Sequence, residues 1–356
     1  RMAMPELKSC VIRPSSLGEG DVALWRSFLW SSPAFAAPFL SHAYAVTAER
    51  CFGGVHVAKL VQGGQTAGFF PFQYRSPFHR LAGIGEAVSG YLADYFGLIA
   101  APDFRISDRE LLRAAGLNAI YFTHLEETQA AFGLSGTQPE LGVRIDFPDG
   151  GKAFWDERRK LDKKFTGDTE RRERRLIETH GPLRFVFRHA DCRGELQKLI
   201  EAKRAQYART GVKDSMGEAS TRRFLEMLCE VSDPDCRATL STLHAGDQWI
   251  GSHFGLMHGT KLHYWFPVYN PQMRNFGPGR LLIKAIIDAS IENGVTRIDR
   301  GAGDSQAKLD FETSRHQFLR GIWSRPGVVS FGYRAALSAG WRWRMLRDKS
   351  TAESAT

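Results

Sequence analysis

Apolar and polar positions along the chain sort into short strands and helices in mixed order, with no long uninterrupted apolar run. Apolar residues at helical spacing mark Val22–Leu29 as a helix, because positions three and four apart share one face. Val55–Val61 and Thr66–Phe72 alternate instead, the period of a half-buried strand, and Gly63-Gly64 between them suits a tight hairpin turn. Gly83–Gly97 is glycine-rich and aromatic and carries Tyr91, Asp94, Tyr95 and Phe96. Beyond it, Ser107–Ala115 reads as a helix and Ala119–Thr123 as a strand. In the second half the pattern predicts a strand at Leu183–Arg188 and helices at Glu195–Arg209 and Thr221–Val231. Three strands follow, Ala238–Leu243, Trp249–Met257 and Leu262–Pro267, turning at Gly246-Asp247 and His258-Gly259. A helix (Leu281–Glu292), a short strand (Arg297–Arg300), the loop Gly301–Gln306 and a last strand near Phe318–Trp323 complete the series. The fold class is mixed α/β, and no exact internal repeat is visible.

Between Lys152 and Glu178 the composition changes: ten Lys or Arg stand against seven acids, and Gly167-Asp168 divides the span into two helical pieces. Such a basic hairpin can grip nucleic acid or a polyanionic saccharide. Equally, opposite charges at helical spacing can pair with one another on a solvated connector. The domain boundary falls just before it, at Pro148-Asp149-Gly150-Gly151, separating 1–148 from 149–330 and leaving 331–356 as a basic tail. From Tyr333 to Lys349 that tail interleaves Ala336, Leu337, Trp341, Trp343 and Leu346 with Arg334, Arg342, Arg344 and Arg347. It can lie on an anionic membrane as an amphipathic helix, or pack back on the domain through its tryptophans.

A length of 356 residues suggests two domains. With 43% hydrophobic residues the chain can bury a large core, which excludes wholesale disorder. The net charge of +9 favours anionic partners without choosing among phosphorylated cofactors, nucleotide sugars, nucleic acid and acidic membrane. Cys10, Cys51, Cys192, Cys229 and Cys236 are scattered, with no C-x-x-C, which argues for a reducing compartment and against a disulfide frame or a cysteine-rich zinc site. No stretch reaches the roughly 18 apolar residues of a membrane span, and Arg1–Ser9 lacks the apolar core of a signal peptide. A cytoplasmic protein is expected.

The most informative short motif is Arg274-Asn275-Phe276-Gly277-Pro278-Gly279, an R-x-x-G-x-G between the strand ending at Tyr269 and the helix from Leu281. A turn of this kind presents backbone N–H groups at a helix start, where partial positive charge attracts phosphate oxygens. The glycines clear the approach, Pro278 gives up a donor the helix start can spare, and Arg274 and Arg280 add permanent charge. The same residues also make an ordinary Gly-Pro-Gly turn ahead of a surface helix. Other chemistries fit less well. Gly301-Ala302-Gly303 lacks the third glycine of a dinucleotide fingerprint, since residue 306 is Gln. Gly303-Asp304-Ser305-Gln306-Ala307 is one residue from a hydrolase nucleophile elbow, but Asp310 and His316 follow too closely to supply a triad. His253, His258 and His263 sit on a hairpin whose turn scatters their rings, so no metal is expected.

The order of three strands, R-x-x-G-x-G turn, helix and short strand resembles the GNAT acyltransferase fold. The second half looks more closely like the CelD/BcsL-type acetyltransferases, a GNAT branch associated with cellulose and other exopolysaccharide production. The matching residues are Leu262–Asn270, Phe276–Leu282, Asp299–Asp304, Lys308, Leu199–Gly211 and, in the first half, Gly90–Gly97. The branch is similar to Fem-type transferases in having two GNAT-like halves, with the CoA loop kept in the second. The resemblance therefore implies two tandem GNAT-like domains, each a mostly antiparallel sheet flanked by helices. It also implies an acetyl-CoA or other acyl-CoA co-substrate, a saccharide or amine acceptor, and no DNA partner.

For such a transfer, backbone N–H groups around Phe266–Val268 would polarise the thioester carbonyl, and residues 274–280 would anchor the diphosphate. Asp304 is the first candidate for base or substrate-orienting group, with helix capping as its structural alternative; His253 is a second candidate base. Lys308 would hold an anionic acceptor or pair with Asp304. Asp94 and Tyr95 from the first half, Lys203 and Gln206 from the helix, and Tyr264 and Tyr269 from the strand are candidate acceptor contacts. Relatives often carry Tyr immediately before the lysine; here it is Ala307, which removes one way of protonating the leaving thiolate. Two further readings remain: a Fem-like transferase fed by aminoacyl-tRNA, and a non-catalytic accessory protein of polysaccharide synthesis.

Overall fold

The computed structural model describes residues 6–32 and 37–338. The first half contributes β1 (Leu7–Ile12), α1 (Glu19–Trp30), α2 (His42–Phe52), β2 (Val55–Gln62), β3 (Gln65–Gln73), α3 (Pro77–Ala82), β4 (Ile84–Gly85), β5 (Ile99–Ala100), α4 (Asp108–Ala114), β6 (Ala119–Glu126) and β7 (Gln138–Asp146). β2 and β3 form the expected hairpin, and Gly63 and Gly64 both take positive φ, the requirement of a turn that follows strand twist. With β1 and β5 they make a four-stranded sheet, order β1-β2-β3-β5. Trp25 of α1 lies on it, stacked 5.0 Å from Phe69, and its indole N–H donates to the Leu40 carbonyl at 2.9 Å.

The second half contributes α5 (Gly150–Leu161), α6 (Lys163–His180), β8 (Leu183–Val186), α7 (Cys192–Thr210), α8 (Ala219–Cys229), β9 (Arg237–Ala245), β10 (Gln248–His258), β11 (Lys261–Tyr269), α9 (Pro278–Asp288), α10 (Ser290–Asn293), β12 (Arg297–Ala302), α11 (Gln306–Leu309) and β13 (Ser314–Ser324), followed by a helix over 328–338. The large sheet has nine strands in the order β4-β6-β13-β7-β12-β11-β10-β9-β8. The last strand, β13, lies between β6 and β7 of the first half and pairs antiparallel with both. The sheet therefore runs unbroken across residue 148. On one face α7 and α8 share a core with the first half; on the other, α9 buries Leu281, Leu282, Ile283, Ile286 and Ile287.

Mixed α/β architecture with two sheet-and-helix halves agrees with the sequence reading, and two details correct it. Gly167 and Asp168 do not break the basic span: α6 runs through them, and the break falls at Asp162, whose carboxylate caps α6 by accepting the Phe165 N–H at 2.9 Å. The charges of that hairpin mostly face one another, as in Lys152–Asp156 at 2.6 Å and Arg159–Glu170 between the helices. Cys192 and Cys229, at the start of α7 and the end of α8, are joined in a disulfide with Cα atoms 5.7 Å apart, contrary to the reading of free thiols throughout. In the tail, Val328 and Phe331 are exposed on the 328–338 helix, while Trp341, Trp343 and the arginines from 342 onward lie outside the described residues. Among the described residues no helix is long and apolar enough to cross a membrane.

Candidate active site

β11 and β12 run parallel but pair only over 261–263 against 297–299. Beyond His263 and Asp299 they diverge, for two local reasons. Gly301 takes φ +64 and β12 slips register on β7 between Asp299 and Ala302, which turns β12 aside. On the other wall a bulge at Tyr264-Trp265 of β11, opposite Gly255 of β10, reorients β11. The result is a V-shaped gap with β11 as one wall, β12 as the other, and the start of α9 at the end of the β11 wall.

The R-x-x-G-x-G segment lies at that end. Residues Pro271–Phe276 form a short 3-10 turn closed by Gly277, which takes φ +66 and donates its N–H to the Arg274 carbonyl at 3.1 Å. The first amide used within α9 is that of Leu281, bonded to Gly277 O at 3.1 Å. Pro278 has no N–H, and among the described residues the Gly279 and Arg280 amides have no protein acceptor, as expected of a helix start left open for an anion. A side chain at 279 would meet Tyr269 Cζ at 2.9 Å, so the ring can lie this close only beside a glycine and would have to shift for any larger residue. The flanking charges are arranged differently from expectation. Arg280 is turned to α6 and α11, 2.9 Å from Asp168 and 3.4 Å from Asp310, while Arg172 reaches the Asn275 carbonyl at 3.4 Å and lies against Gly277. Arg274 is exposed, and Phe276 lies beneath the Arg175 guanidinium at 5.3 Å. A cavity of about 500 Å³ adjoins, lined by Lys163, Lys164, Phe165, Asp168, Arg171 and Arg280 among others.

Along the β11 wall the expected donors are not free. Asn270 N–H bonds Ile250 O at 3.0 Å, which fixes the phase of the antiparallel ladder. By alternation Val268 and Phe266 turn their N–H groups inward, to Ser252 and Phe254. Pro267 has no N–H at all, and the Trp265 amide donates to His253 Nε2 at 3.1 Å. Polarisation of a carbonyl by amides at Phe266–Val268 is therefore corrected. What stands at the wall instead is Lys203 of α7, whose ammonium donates to the outward-facing Pro267 carbonyl at 2.7 Å. Burial lowers the Lys203 pKa to about 8. Gln206, one helical turn on, is half-buried with its Oε1 unpartnered.

His253 serves the sheet rather than catalysis. It is wholly buried, stacked on Tyr264 with ring centroids 4.0 Å apart, and burial holds its pKa well below the ordinary value. Its Nε2 lone pair is engaged by Trp265, so the candidate base is corrected to a structural ligand of the bulge. Replacing His253 by Ala is expected to cost about 1–3 kcal/mol through the orphaned Trp265 amide, read by urea unfolding, with both limbs of the pH–rate profile in place. Loss of one limb would restore His253 as the base. Tyr264 and Tyr269, their hydroxyls 3.3 Å apart, face α9: Tyr269 lies against Gly279 and Arg300 stacks over Tyr264 at 5.2 Å. They shape the wall from behind, on the face opposite His263.

At the vertex the two halves meet in a buried polar cluster. His263 Nε2 lies 2.7 Å from Asp94 Oδ2 and its Nδ1 lies 4.0 Å from Asp299 Oδ1. Tyr95 donates its hydroxyl to Asp299 Oδ2 at 2.5 Å, Gly301 donates its amide to Asp299 Oδ1 at 2.8 Å, and His316 lies 3.5 Å from the Tyr95 hydroxyl. Burial pushes the Asp94 carboxyl up, but the hydrogen bond and charge of His263 outweigh it and hold it below the ordinary value. Asp299 behaves likewise: burial opposes ionisation, and His263, His316 and Arg144 prevail. Of the pair, His263 is closed off at 2% side-chain exposure and Asp94 at 28% still opens outward, so Asp94 is the member able to touch a substrate. Ser89, two residues into the turn before Gly90–Gly97, sets this loop: it takes φ +67, with its hydroxyl 2.6 Å from that of Tyr44 and its amide on Gln73 at 2.9 Å.

Asp304 is exposed in the 303–305 loop and does not cap α11, whose N-cap is Ser305. Lys308 does not reach Asp304; its ammonium donates to the Ala302 carbonyl, and burial, then Arg300, lowers its pKa against the pull of Asp94 and Asp299. The sequence reading missed His263, Asp299 and Arg144 as site residues. The available signal was positional: His263 and Asp299 are the last paired residues before the strands part.

Residues 164–309 match the family model described as Acetyltransferase (GNAT) domain. No curated protein matches the sequence. Among solved structures, FemX is similar with a TM-score of 0.53 at 10% identity, over 84% of this chain and 96% of that one. A C-terminal domain assigned to a lysylphosphatidylglycerol synthetase from Agrobacterium fabrum gives 0.52 at 12%, over 89% and 96%. A conserved protein of unknown function from Bacteroides thetaiotaomicron gives 0.52 at 10%, over 88% and 98%. At these identities the structures bear on fold alone. The match places a GNAT-type acetyltransferase domain at residues 164–309, and the chain's activity, donor, acceptor and catalytic groups are a separate matter.

Proposed function

We propose that the protein transfers an acyl group, acetyl first among the candidates, from coenzyme A to an amine or hydroxyl of a saccharide or nucleotide sugar, with exopolysaccharide synthesis as its setting. The observation that carries this reading is the gap between β11 and β12, closed at His263 and Asp299 and leading to the unpaired amides of Gly279 and Arg280. Those amides, with Arg172 and Arg274 at hand, suit a diphosphate. The gap suits an extended thioester arm, and the vertex supplies Asp94 for the acceptor.

In the reaction the acceptor nitrogen attacks the thioester carbon. A C–N bond forms, the carbonyl π pair moves to oxygen, and on collapse the C–S bond breaks with its electron pair leaving on sulfur. The nitrogen's proton passes to Asp94, held in place by His263, which in turn faces Asp299. An ammonium acceptor suits the ionised Asp94 electrostatically, and Trp265, which joins Phe39 at 5.1 Å with His263 at 4.7 Å from the same ring, offers an aromatic face to a sugar. Asp304 at the rim orients the acceptor, and Lys308 offsets charge at the vertex. The division into halves 1–148 and 149–330, a cytoplasmic location and peripheral membrane contact by the tail belong to the same proposal.

The likeness to FemX keeps a Fem-like, aminoacyl-tRNA-dependent transfer as the second reading. It calls on the basic span 152–178, in which Lys152, Arg159, Lys160, Arg171 and Arg172 are already engaged in ion pairs. Ala307 keeps the non-catalytic accessory reading as the third. Calorimetry with acetyl-CoA and with total tRNA, joined to thiol release in the presence of glucosamine, tests all three. Acetyl-CoA binding with glucosamine-dependent thiol release is expected. Binding of tRNA without acetyl-CoA would replace the first reading by the second, and acetyl-CoA binding with no release over a panel of amino sugars would favour the third.

A further inference from the structure

In an acyl transfer across this gap, negative charge develops on the carbonyl oxygen, and a preorganised donor must face it. At its middle the β11 wall has lost its means of supplying one from the backbone. The edge-facing positions there are Trp265, whose amide is taken by His253 at 3.1 Å, and Pro267, which has none; the next, Tyr269, lies at the strand's end beside Gly279. Val268 and Phe266 face β10. The outward carbonyl at Pro267 is itself an acceptor, of the wrong polarity for the task.

The charged donor at the middle of that edge, among the described residues, is Lys203. Its side chain is 9% exposed, it reaches the wall from α7, and its ammonium meets the gap-facing Pro267 carbonyl at 2.7 Å. Two of its three N–H directions are left for a substrate. Among the described residues no carboxylate is in ion-pair contact with it, and burial lowers its pKa to about 8. The ionisable groups facing it are Tyr207 on its own helix, with Nζ 5.3 Å from the ring, and His253 on β10, which burial keeps neutral. A buried cation without a counter-ion is costly unless it has a task. Lys203 also lies between the other two parts of the site. The diphosphate loop follows the end of β11, and Pro267 precedes it on the same strand as His263.

We propose that the Lys203 ammonium, in place of a strand amide, holds the thioester carbonyl oxygen and stabilises the oxyanion that forms when the acceptor attacks. This rests on the acyl-CoA reading above. When the π pair moves to oxygen the hydrogen bond from the Lys203 ammonium strengthens without transferring its proton; when the C–S bond breaks, the pair returns to carbonyl and the donor relaxes to Pro267. The unpartnered Gln206 Oε1, one turn along the same helix, accepts an N–H or O–H of the incoming acceptor.

The test is carbon NMR of acetyl-CoA carrying ¹³C at its carbonyl, titrated with wild-type protein, Lys203→Met and Lys203→Arg. Wild type is expected to move the bound carbonyl resonance downfield. Lys203→Met should bind acetyl-CoA within about threefold of wild type, about half of a tenfold step of 1.4 kcal/mol being the allowance, with the resonance at its free position. Lys203→Arg should retain a downfield shift. Wild type provides a second measurement independent of folding in the variants: an ammonium donor loses its effect as pH rises from neutrality toward the ordinary lysine value of about 10.4, whereas an amide donor does not titrate. An undiminished shift in Lys203→Met, or a wild-type shift constant over that pH range, overturns the assignment to Lys203. Absence of acetyl-CoA binding to wild type is a different failure, that of the donor reading itself.

Discussion

Gly279→Glu is expected to weaken acetyl-CoA binding at least 100-fold in calorimetry while leaving the fold in place. The substituted residue is the second of α9, where the amides of 279 and 280 are open. A carboxylate there faces the diphosphate at about 5 Å, and like unit charges at that distance repel by about 3 kcal/mol at the effective dielectric constant of a protein surface. Each 1.4 kcal/mol is tenfold in affinity, so one repulsion of that size exceeds a factor of 100, before the lost amide bonds are counted. Sterics contribute too, since a Cβ at 279 meets Tyr269 Cζ at 2.9 Å. Gly279→Ala separates the two effects: it carries the clash without the charge, and the tyrosine ring can swing, so its affinity should stay within about tenfold of wild type. Equal losses in both variants would mean that packing, not charge, governs the loop. Wild-type affinity in Gly279→Glu would remove the diphosphate from this segment altogether.

The strands and helices nearest the gap were legible because their signals are local. β9, β10, β11 and α9 each have a clean period, and Gly246, Gly259 and Gly277 punctuate them with the positive φ values their turns need. The topology was not legible. β13 inserts between β6 and β7, a contact across some 170 residues that no window of sequence registers, and β7 itself, starting with Gln138-Pro139-Glu140, carries too weak an alternation to be seen. The basic span misled for a related reason: a glycine in an exposed helix interior costs only about 1 kcal/mol, and α6 tolerates Gly167, whose Cβ position faces open space.

The site divides in the same way. The 274–280 loop is a contiguous motif, and its glycine turn at an open helix start was readable from the sequence. The donors at Phe266–Val268 were assigned to the right wall with the wrong atoms, because ladder phase depends on which carbonyl Asn270 meets across the hairpin. Asp94 was legible as a contribution from the first half, but its partner was not. His263 belongs to an evenly spaced histidine series whose members the hairpin sends to three destinations: His253 to the bulge, His258 to Trp30 at 4.4 Å, and His263 to the vertex.

Asp94→Asn is expected to lower turnover of acetyl-CoA with an amine acceptor by about 10²–10⁴-fold, the usual contribution of a general base, with acetyl-CoA affinity unchanged. Asparagine keeps the shape and can still accept the His263 N–H through Oδ1, so the variant removes proton-accepting power with little change in position. Stability offers an internal control. Because the folded-state pKa of Asp94 is depressed, its ionisation stabilises the fold at pH values above the unfolded carboxyl pKa, and that contribution is lost as pH falls through the depressed folded value. Asp94→Asn should therefore be somewhat less stable at neutral pH and lose less on acidification, a modest change beside the loss of turnover. Asp304→Asn is the comparison that decides between the two carboxylates. Asp304 is exposed and makes no hydrogen bond within the described residues, so as an acceptor-orienting group it should raise KM more than it lowers kcat. If instead Asp304→Asn abolishes turnover and Asp94→Asn leaves kcat intact, the base lies in the 303–305 loop, and the Asp94–His263–Asp299 cluster is a structural joint between the halves.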